Sequence, residues 1–202
     1  MRLFHSPTTP FGRKVMVMLI ETGQAGDVEV VPASGSPVDP GSTPLDTNPL
    51  GKIPALELDD GTPVYDSRVI CRFLDDRAGG KLYPAKPRLW RTLTLEATAD
   101  GILDAALLMV YEIRIRPEEK RFDGWVEGQW AKIARALDSL EGRWMDHLGG
   151  PLDMGQVAVA CALSYLDFRH DARNWRAGHP KLAAWHEAFA RRDSMKATEP
   201  QG

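Results

Sequence analysis

The sequence predicts an α/β domain over residues 1–83 followed by an all-α domain over residues 88–202. Three observations carry that division. Short β-branched runs alternate with helical stripes as far as Tyr83 and then stop. A proline-bounded linker, Tyr83-Pro84-Ala85-Lys86-Pro87, follows. From Arg88 onward every apolar pattern has helical spacing.

Taken in order, Arg2 to Phe4 reads as a short strand, and Phe11, Val15, Met18 and Leu19 fall at i, i+4, i+7 and i+8 of an amphipathic helix that stops at Gly23. Val28, Val30 and Val31 supply a second strand. The stretch from Pro32 to Thr47 is a Pro-, Gly- and Ser-rich loop, long enough to border a ligand site or to hold a helix that the pattern does not reveal. Pro54 to Leu58 and Pro63 to Tyr65 flank Asp59-Asp60-Gly61, a hairpin turn signal. Ser67 then opens a stripe of Val69, Ile70, Phe73 and Leu74 ending at Ala78-Gly79-Gly80. The order β-α-β-loop-β-β-α mixes a crossover with a hairpin, which is a thioredoxin-like arrangement and not a doubly wound sheet. Beyond the linker, Leu89 to Ile115, Trp125 to His147, Val157 to Phe168 and Leu182 to Arg191 read as four helices, and Lys196 to Gly202 as a frayed end.

Composition narrows the function classes. At 202 residues with 43% hydrophobic content the chain can build a packed core without staples. Its two cysteines, Cys71 and Cys161, lie far apart with no metal-ligand or C-x-x-C spacing, as suits a reducing cytosol. A formal charge of −3 gives no reason to expect nucleic acid, and neither a signal peptide pattern nor a membrane-length apolar run is present. The expected setting is cytoplasmic.

The chemistry concentrates in two short motifs. In Asn48-Pro49-Leu50-Gly51-Lys52-Ile53-Pro54, a proline entering a strand cannot donate a ladder hydrogen bond, so the backbone of Ile53 is free to pair outward. Twelve residues past Pro54, Asp66-Ser67 opens a helix. The free N–H groups there can hold a carboxylate, while Asp66 takes an ammonium. Together the two motifs suit a small zwitterionic peptide.

These motifs, with Ser6-Pro7-Thr8-Thr9-Pro10-Phe11-Gly12-Arg13-Lys14-Val15, the hairpin and the helical second half, make nearly the whole chain resemble the glutathione transferase family. The resemblance implies the glutathione transferase fold, with residues 1–83 as the glutathione-binding domain and 88–202 supplying the second-substrate pocket. It implies a cis Ile53-Pro54 bond, strand-like pairing of Ile53 with the cysteinyl part of glutathione, and a γ-glutamyl site at Asp66 and Ser67. Lys52 would reach the glycyl carboxylate, although a loop lysine is commonly just solvated. Glutathione is then a cosubstrate, no metal is called for, and a homodimer is expected, with Arg68 the best surface cation for its interface.

Family members place a catalytic Ser, Cys or Tyr near the first turn of the first helix, where this chain has Thr9. From the residues alone, Thr before Pro at a helix start is an N-cap. From the resemblance, its hydroxyl donates to the glutathione thiolate, with Thr8 second and Ser6 also in the turn. No cysteine lies between Ser6 and Arg13, so mixed-disulfide chemistry at this turn is excluded. Conjugation, isomerisation or a peroxidase reaction using the sulfur of glutathione itself remain, with a small apolar electrophile as the partner substrate; a non-catalytic glutathione-binding module is the alternative. For the electrophile pocket the resemblance points to Met109, Tyr111 and Arg114. Asp153-Met154-Gly155-Gln156 reads as a capping box with structural work only. The six tryptophans, Trp125, Trp130, Trp144 and Trp185 among them, are expected to pack between helices.

Overall fold

The computed structural model describes residues 1–201, so Gly202, the last residue of the expected frayed end, lies outside the described residues. Two compact units emerge, one formed by Met1–Leu89 together with the chain from Asp193 on, the other by Trp90–Arg192.

In the first unit β1 (Arg2–His5), α1 (Pro10–Glu21), β2 (Glu29–Pro32), β3 (Ala55–Glu57), β4 (Pro63–Val64) and α2 (Ser67–Arg77) follow the expected order. The sheet order is β2-β1-β3-β4; β1 pairs parallel with β2 and antiparallel with β3, and β3 pairs antiparallel with β4. This mixed sheet is what a crossover plus a hairpin must produce. Leu3 and Leu56 from the strands meet Val15, Met18 and Leu19 of α1 and Ile70 and Leu74 of α2 in a core with at most 1% exposure. The hairpin turn closes as Leu58 N–H donates to Thr62 O and Gly61 N–H to Leu58 O, both at 3.0 Å, with Gly61 at φ 84°. That left-handed conformation explains the glycine. The loop from Ala33 to Pro54 contains turns and one isolated bridge, Ser36 to Asp39, but no helix among the described residues.

At the end of α2 the buried Asp75 carboxylate accepts from Lys81, Leu82 and Tyr83 N–H at 2.9, 2.6 and 3.0 Å. The linker is therefore pinned where α2 stops. A helix α8 (Asp193–Ala197), with Ser194 and Met195 buried, runs two residues into the stretch expected to fray, and Glu199 to Gln201 carry no regular structure. Arg13 of α1 donates to Met195 O at 3.0 Å and to Thr198 Oγ1 at 3.3 Å, which anchors this segment. Periodicity could not reveal so short a helix, because one turn and a half presents too few positions to show a stripe.

The second unit contains α3 (Arg88–Arg114, whose first two residues lie in the first unit), α4 (Asp123–Ser139), α5 (Met145–Leu148), α6 (Met154–His170) and α7 (Pro180–Phe189). The single helix expected over 125–147 is divided by a π turn at Leu140–Trp144. Helix α6 is buried on every side from Met154 to Leu163, which makes it the central helix of this unit. Gly155 has a packing reason: a Cβ there would lie 2.9 Å from Leu95 Cβ and 3.0 Å from Thr92 O, so its absence lets α6 approach α3. Of the six tryptophans expected between helices, Trp175 is buried, Trp125, Trp130, Trp144 and Trp185 are half-buried, and Trp90, against the expectation, is exposed.

The capping box is half realised. Asp153 accepts from Gln156 N–H at 3.2 Å, as expected, but the Gln156 side chain does not return the bond; it donates to the carbonyls of His147, Gly150 and Pro151. Asp153 instead receives Thr92 Oγ1 at 2.9 Å and His147 Nε2 at 2.7 Å. One buried carboxylate thus ties α3, α5 and α6 together. Replacing Asp153 with Ala removes three buried hydrogen bonds, so Asp153→Ala is expected to lower unfolding stability by about 3 kcal/mol. Urea denaturation followed by circular dichroism measures this, and a loss below about 1 kcal/mol would contradict the role.

Candidate functional site

The first half of the site is the entrance to β3. The Ile53–Pro54 bond is cis, as expected. Pro54 precedes the register in which Ala55 pairs with Phe4, and β3 is an interior strand, so Pro54 is not an ordinary edge-strand proline. Asn48, itself buried, braces the approach: its Nδ2 donates to Lys52 O at 2.8 Å, and its Oδ1 accepts from Leu50 N–H at 3.1 Å. Gly51, at φ 61°, turns the chain between them. Among the described residues the N–H and C=O of Ile53 make no hydrogen bond. The Lys52 side chain is exposed.

The second half is the start of α2. Asp66 is its N-cap, accepting from Arg68 N–H at 3.0 Å, and Ser67 is the first helical residue, 3% exposed. Arg68 folds toward the cap, with Nη2 2.7 Å from Asp66 Oδ2. Burial pushes the Asp66 carboxyl up, but the side-chain and backbone N–H groups of Arg68, aided by the charge of Lys14, hold it below its ordinary value. A carboxylate has about four acceptor positions, so Asp66 can hold Arg68 and still take an ammonium.

The third element is the turn from Ser6 to Pro10. Ser6 Oγ and Thr8 Oγ1 pair with each other at 3.1 Å. Thr9 is the N-cap residue of α1 by position, yet its side chain makes no cap hydrogen bond. Its methyl points at Gly12: a Cβ on Gly12 would lie 2.7 Å from Thr9 Cγ2. Gly12 is the third helical residue, whose N–H a capping hydroxyl would bind. The structure therefore sets aside the cap reading of Thr9 and distinguishes it from Thr8, whose hydroxyl is engaged.

In the second unit, Met109 is 2% exposed, Tyr111 half-buried and Arg114 exposed on α3. Sequence reasoning missed their companions on α6. Burial raises the Tyr165 phenol to about 12, against the nearby charges of Arg169 and Arg114 and alongside Tyr111. Burial and the charge of Arg114 together lower Arg169. Tyr165 and Arg169 stand four apart on one helix, a spacing no different from a core residue followed by a surface one. A polar cleft of about 380 Å³ between Arg91, Thr94, Thr98, Ser139, Arg143 and Trp144 shares none of these residues.

Residues 8–77 match the family model described as glutathione S-transferase, N-terminal domain, and residues 123–188 match that of the C-terminal domain. The uncharacterized GST-like protein YibF of Escherichia coli (strain K12) is 33% identical over 204 residues, covering 99% of this chain and 98% of YibF. The chain belongs to the glutathione transferase family. Among solved structures, a glutathione transferase family member from Pseudomonas fluorescens Pf-5 with bound glutathione is 47% identical, with a TM-score of 0.96 over 100% of this chain and 99% of that one. A second structure from that organism, with bound S-(propanoic acid)-glutathione, is 46% identical with a TM-score of 0.92, covering both chains completely. The mixed sheet and helical second unit are thus the glutathione transferase fold.

The Arg68 contact makes a prediction about Asp66. Removing the guanidinium in Arg68→Ala leaves burial with less to oppose it, so the Asp66 titration midpoint rises, as carboxylate chemical shifts measure. Because the wild-type value is depressed, the stability it brings is present above the unfolded carboxylate pKa and is lost as pH falls through the folded one. The stability difference between wild type and Arg68→Ala is therefore expected at neutral pH and fades in acid; an unmoved midpoint would contradict the assigned partner.

Proposed function

We propose that this protein is a glutathione transferase in which the first unit binds glutathione and the Thr9 hydroxyl stabilises its thiolate for attack on a small electrophile. The observation that supports this reading most is the unpaired Ile53 backbone beside Pro54, together with the helix start at Ser67. Ile53 offers one donor and one acceptor, the pair a peptide needs to lie against it as an added strand. The Ser67 hydroxyl and the free N–H groups of the first α2 turn favour the γ-glutamyl carboxylate, and Asp66 faces its ammonium. Lys52 is the cation for the glycyl carboxylate.

Thr9 completes the chemistry. An uncapped hydroxyl at a helix start can donate to sulfur, and the nearby N–H groups and helix dipole favour the anion. A hydrogen bond to the charged form lowers the thiol pKa from about 8.5 toward neutrality. The thiolate then forms the carbon–sulfur bond, and the leaving group, or the proton taken up by an activated double bond, balances the charge. Met109, Tyr111 and Arg114 are the proposed contacts of the second substrate. The glutathione carrying an S-propanoic acid group on the Pseudomonas relative supports conjugation over disulfide exchange, and it extends the substrate class from purely apolar electrophiles to short carboxylated ones. Exposed Leu45, Leu50 and Val69 on the first unit favour a homodimer, in keeping with a cytoplasmic detoxification role.

Two measurements test this. Calorimetry with glutathione is expected to give binding at or below millimolar concentration, weakened at least about tenfold by Asp66→Ala. Thr9→Ala is expected to keep that affinity within about threefold while lowering kcat/KM for a model electrophile by about 10²-fold. Absence of binding removes the transferase reading. Binding by a wild-type protein that consumes no electrophile favours a non-catalytic glutathione-binding module, and full activity in Thr9→Ala removes the assignment of Thr9.

A further inference from the structure

Gly12 stands inside α1 with an ordinary helical φ, so no left-handed turn requires it. Glycine in a helix costs about 1 kcal/mol relative to alanine. The reason for it is spatial. A Cβ at Gly12 would fall 2.1 Å from His5 Nδ1 and 2.8 Å from His5 Cε1, as well as 2.7 Å from Thr9 Cγ2. The imidazole and the threonine methyl therefore both border the space a side chain would occupy, over the first turn of the helix.

His5 is placed there firmly. It ends β1, its carbonyl accepts from Ala33 N–H at 3.0 Å, and the residue is 9% exposed. Its Nδ1 is buried and has no hydrogen-bond partner. Leaving a buried ring nitrogen unpaired is unfavourable, so this packing is not explained by what it does for the imidazole. Burial lowers the His5 pKa to about 4, and the ring is uncharged wherever a thiol titrates.

What the ring does is fix its neighbour. Threonine is stiff at χ1, and once its methyl occupies the pocket over Gly12 the hydroxyl points elsewhere. Without the imidazole, rotation about χ1 would return the hydroxyl to the Gly12 N–H, the ordinary capping position. We propose that His5 is a positioning residue, whose imidazole, admitted by the missing side chain at Gly12, holds the Thr9 methyl inward and so keeps the Thr9 hydroxyl turned out toward the glutathione thiol. This rests on the transferase reading of Thr9.

The test is the thiol titration of protein-bound glutathione, followed by thiolate absorbance, in a cycle of wild type, His5→Ala, Thr9→Ala and the double variant. In His5→Ala the midpoint is expected to rise by about one unit, a roughly tenfold loss of thiolate near neutrality, with glutathione affinity unchanged within about twofold. In the Thr9→Ala background His5→Ala is expected to add nothing, because its effect passes through the hydroxyl. His5→Leu, which keeps a wedge but no ring nitrogen, retains the wild-type midpoint.

An unchanged midpoint in His5→Ala, a full shift persisting without Thr9, or loss of the low midpoint in His5→Leu would each overturn the proposal. Should His5→Ala fail to fold, His5→Ser removes the same ring and is expected to raise the midpoint likewise; no rise would count against it. A wild-type protein whose bound glutathione titrates at its free value removes the transferase reading, and this inference with it. A lowered wild-type midpoint with a silent His5 removes only the inference.

Discussion

A strand that is entered through proline lacks one rung of its ladder, and the rest of the site is arranged around that gap. Pro54 has no N–H, and Ile53 before it pairs with nothing in the first unit, although β3 runs between β1 and β4 from Ala55 on. An unpaired donor and acceptor at the mouth of an interior strand are held in place by Asn48 below and by the sheet beyond. The hairpin that follows fixes how far the chain travels before α2 begins. The free amide at Ser67 is thereby held on the same unit as that of Ile53, which is the arrangement the proposed peptide ligand requires.

The first turn of α1 applies the same logic to a side chain. Thr8 and Ser6 satisfy each other, while Thr9 caps nothing, its methyl lying over Gly12. In both places a polar group that local structure would ordinarily consume has been left over. Groups of that kind are costly to keep, which is why their coincidence in one unit argues for a ligand.

Much of this was legible in the chain. The strand order follows from valines, the Asp-Asp-Gly turn and the linker, because period-2 and period-3.6 patterns are local and survive without knowledge of packing. Pro54 and Asp66-Ser67 were legible because proline and helix starts restrict the backbone wherever they occur. What escaped depends on distance. Asp153 draws in Thr92 of α3 from 61 residues earlier, and α8 is held by Arg13 some 180 residues earlier in the chain; each choice is made by tertiary surroundings. His5 escaped for a further reason: its only sign in the sequence is a glycine seven residues later, and glycines have many causes.

The account stands on the pairing of a peptide with Ile53 and with the start of α2. Amide resonances of the isotopically labelled protein, followed during titration with glutathione, test this directly. The account predicts that the Ile53 and Ser67 amides shift together and saturate with one dissociation constant, while the amide of Leu3, in the interior of β1, stays in place. Saturable glutathione binding that moves neither Ile53 nor Ser67 would contradict it.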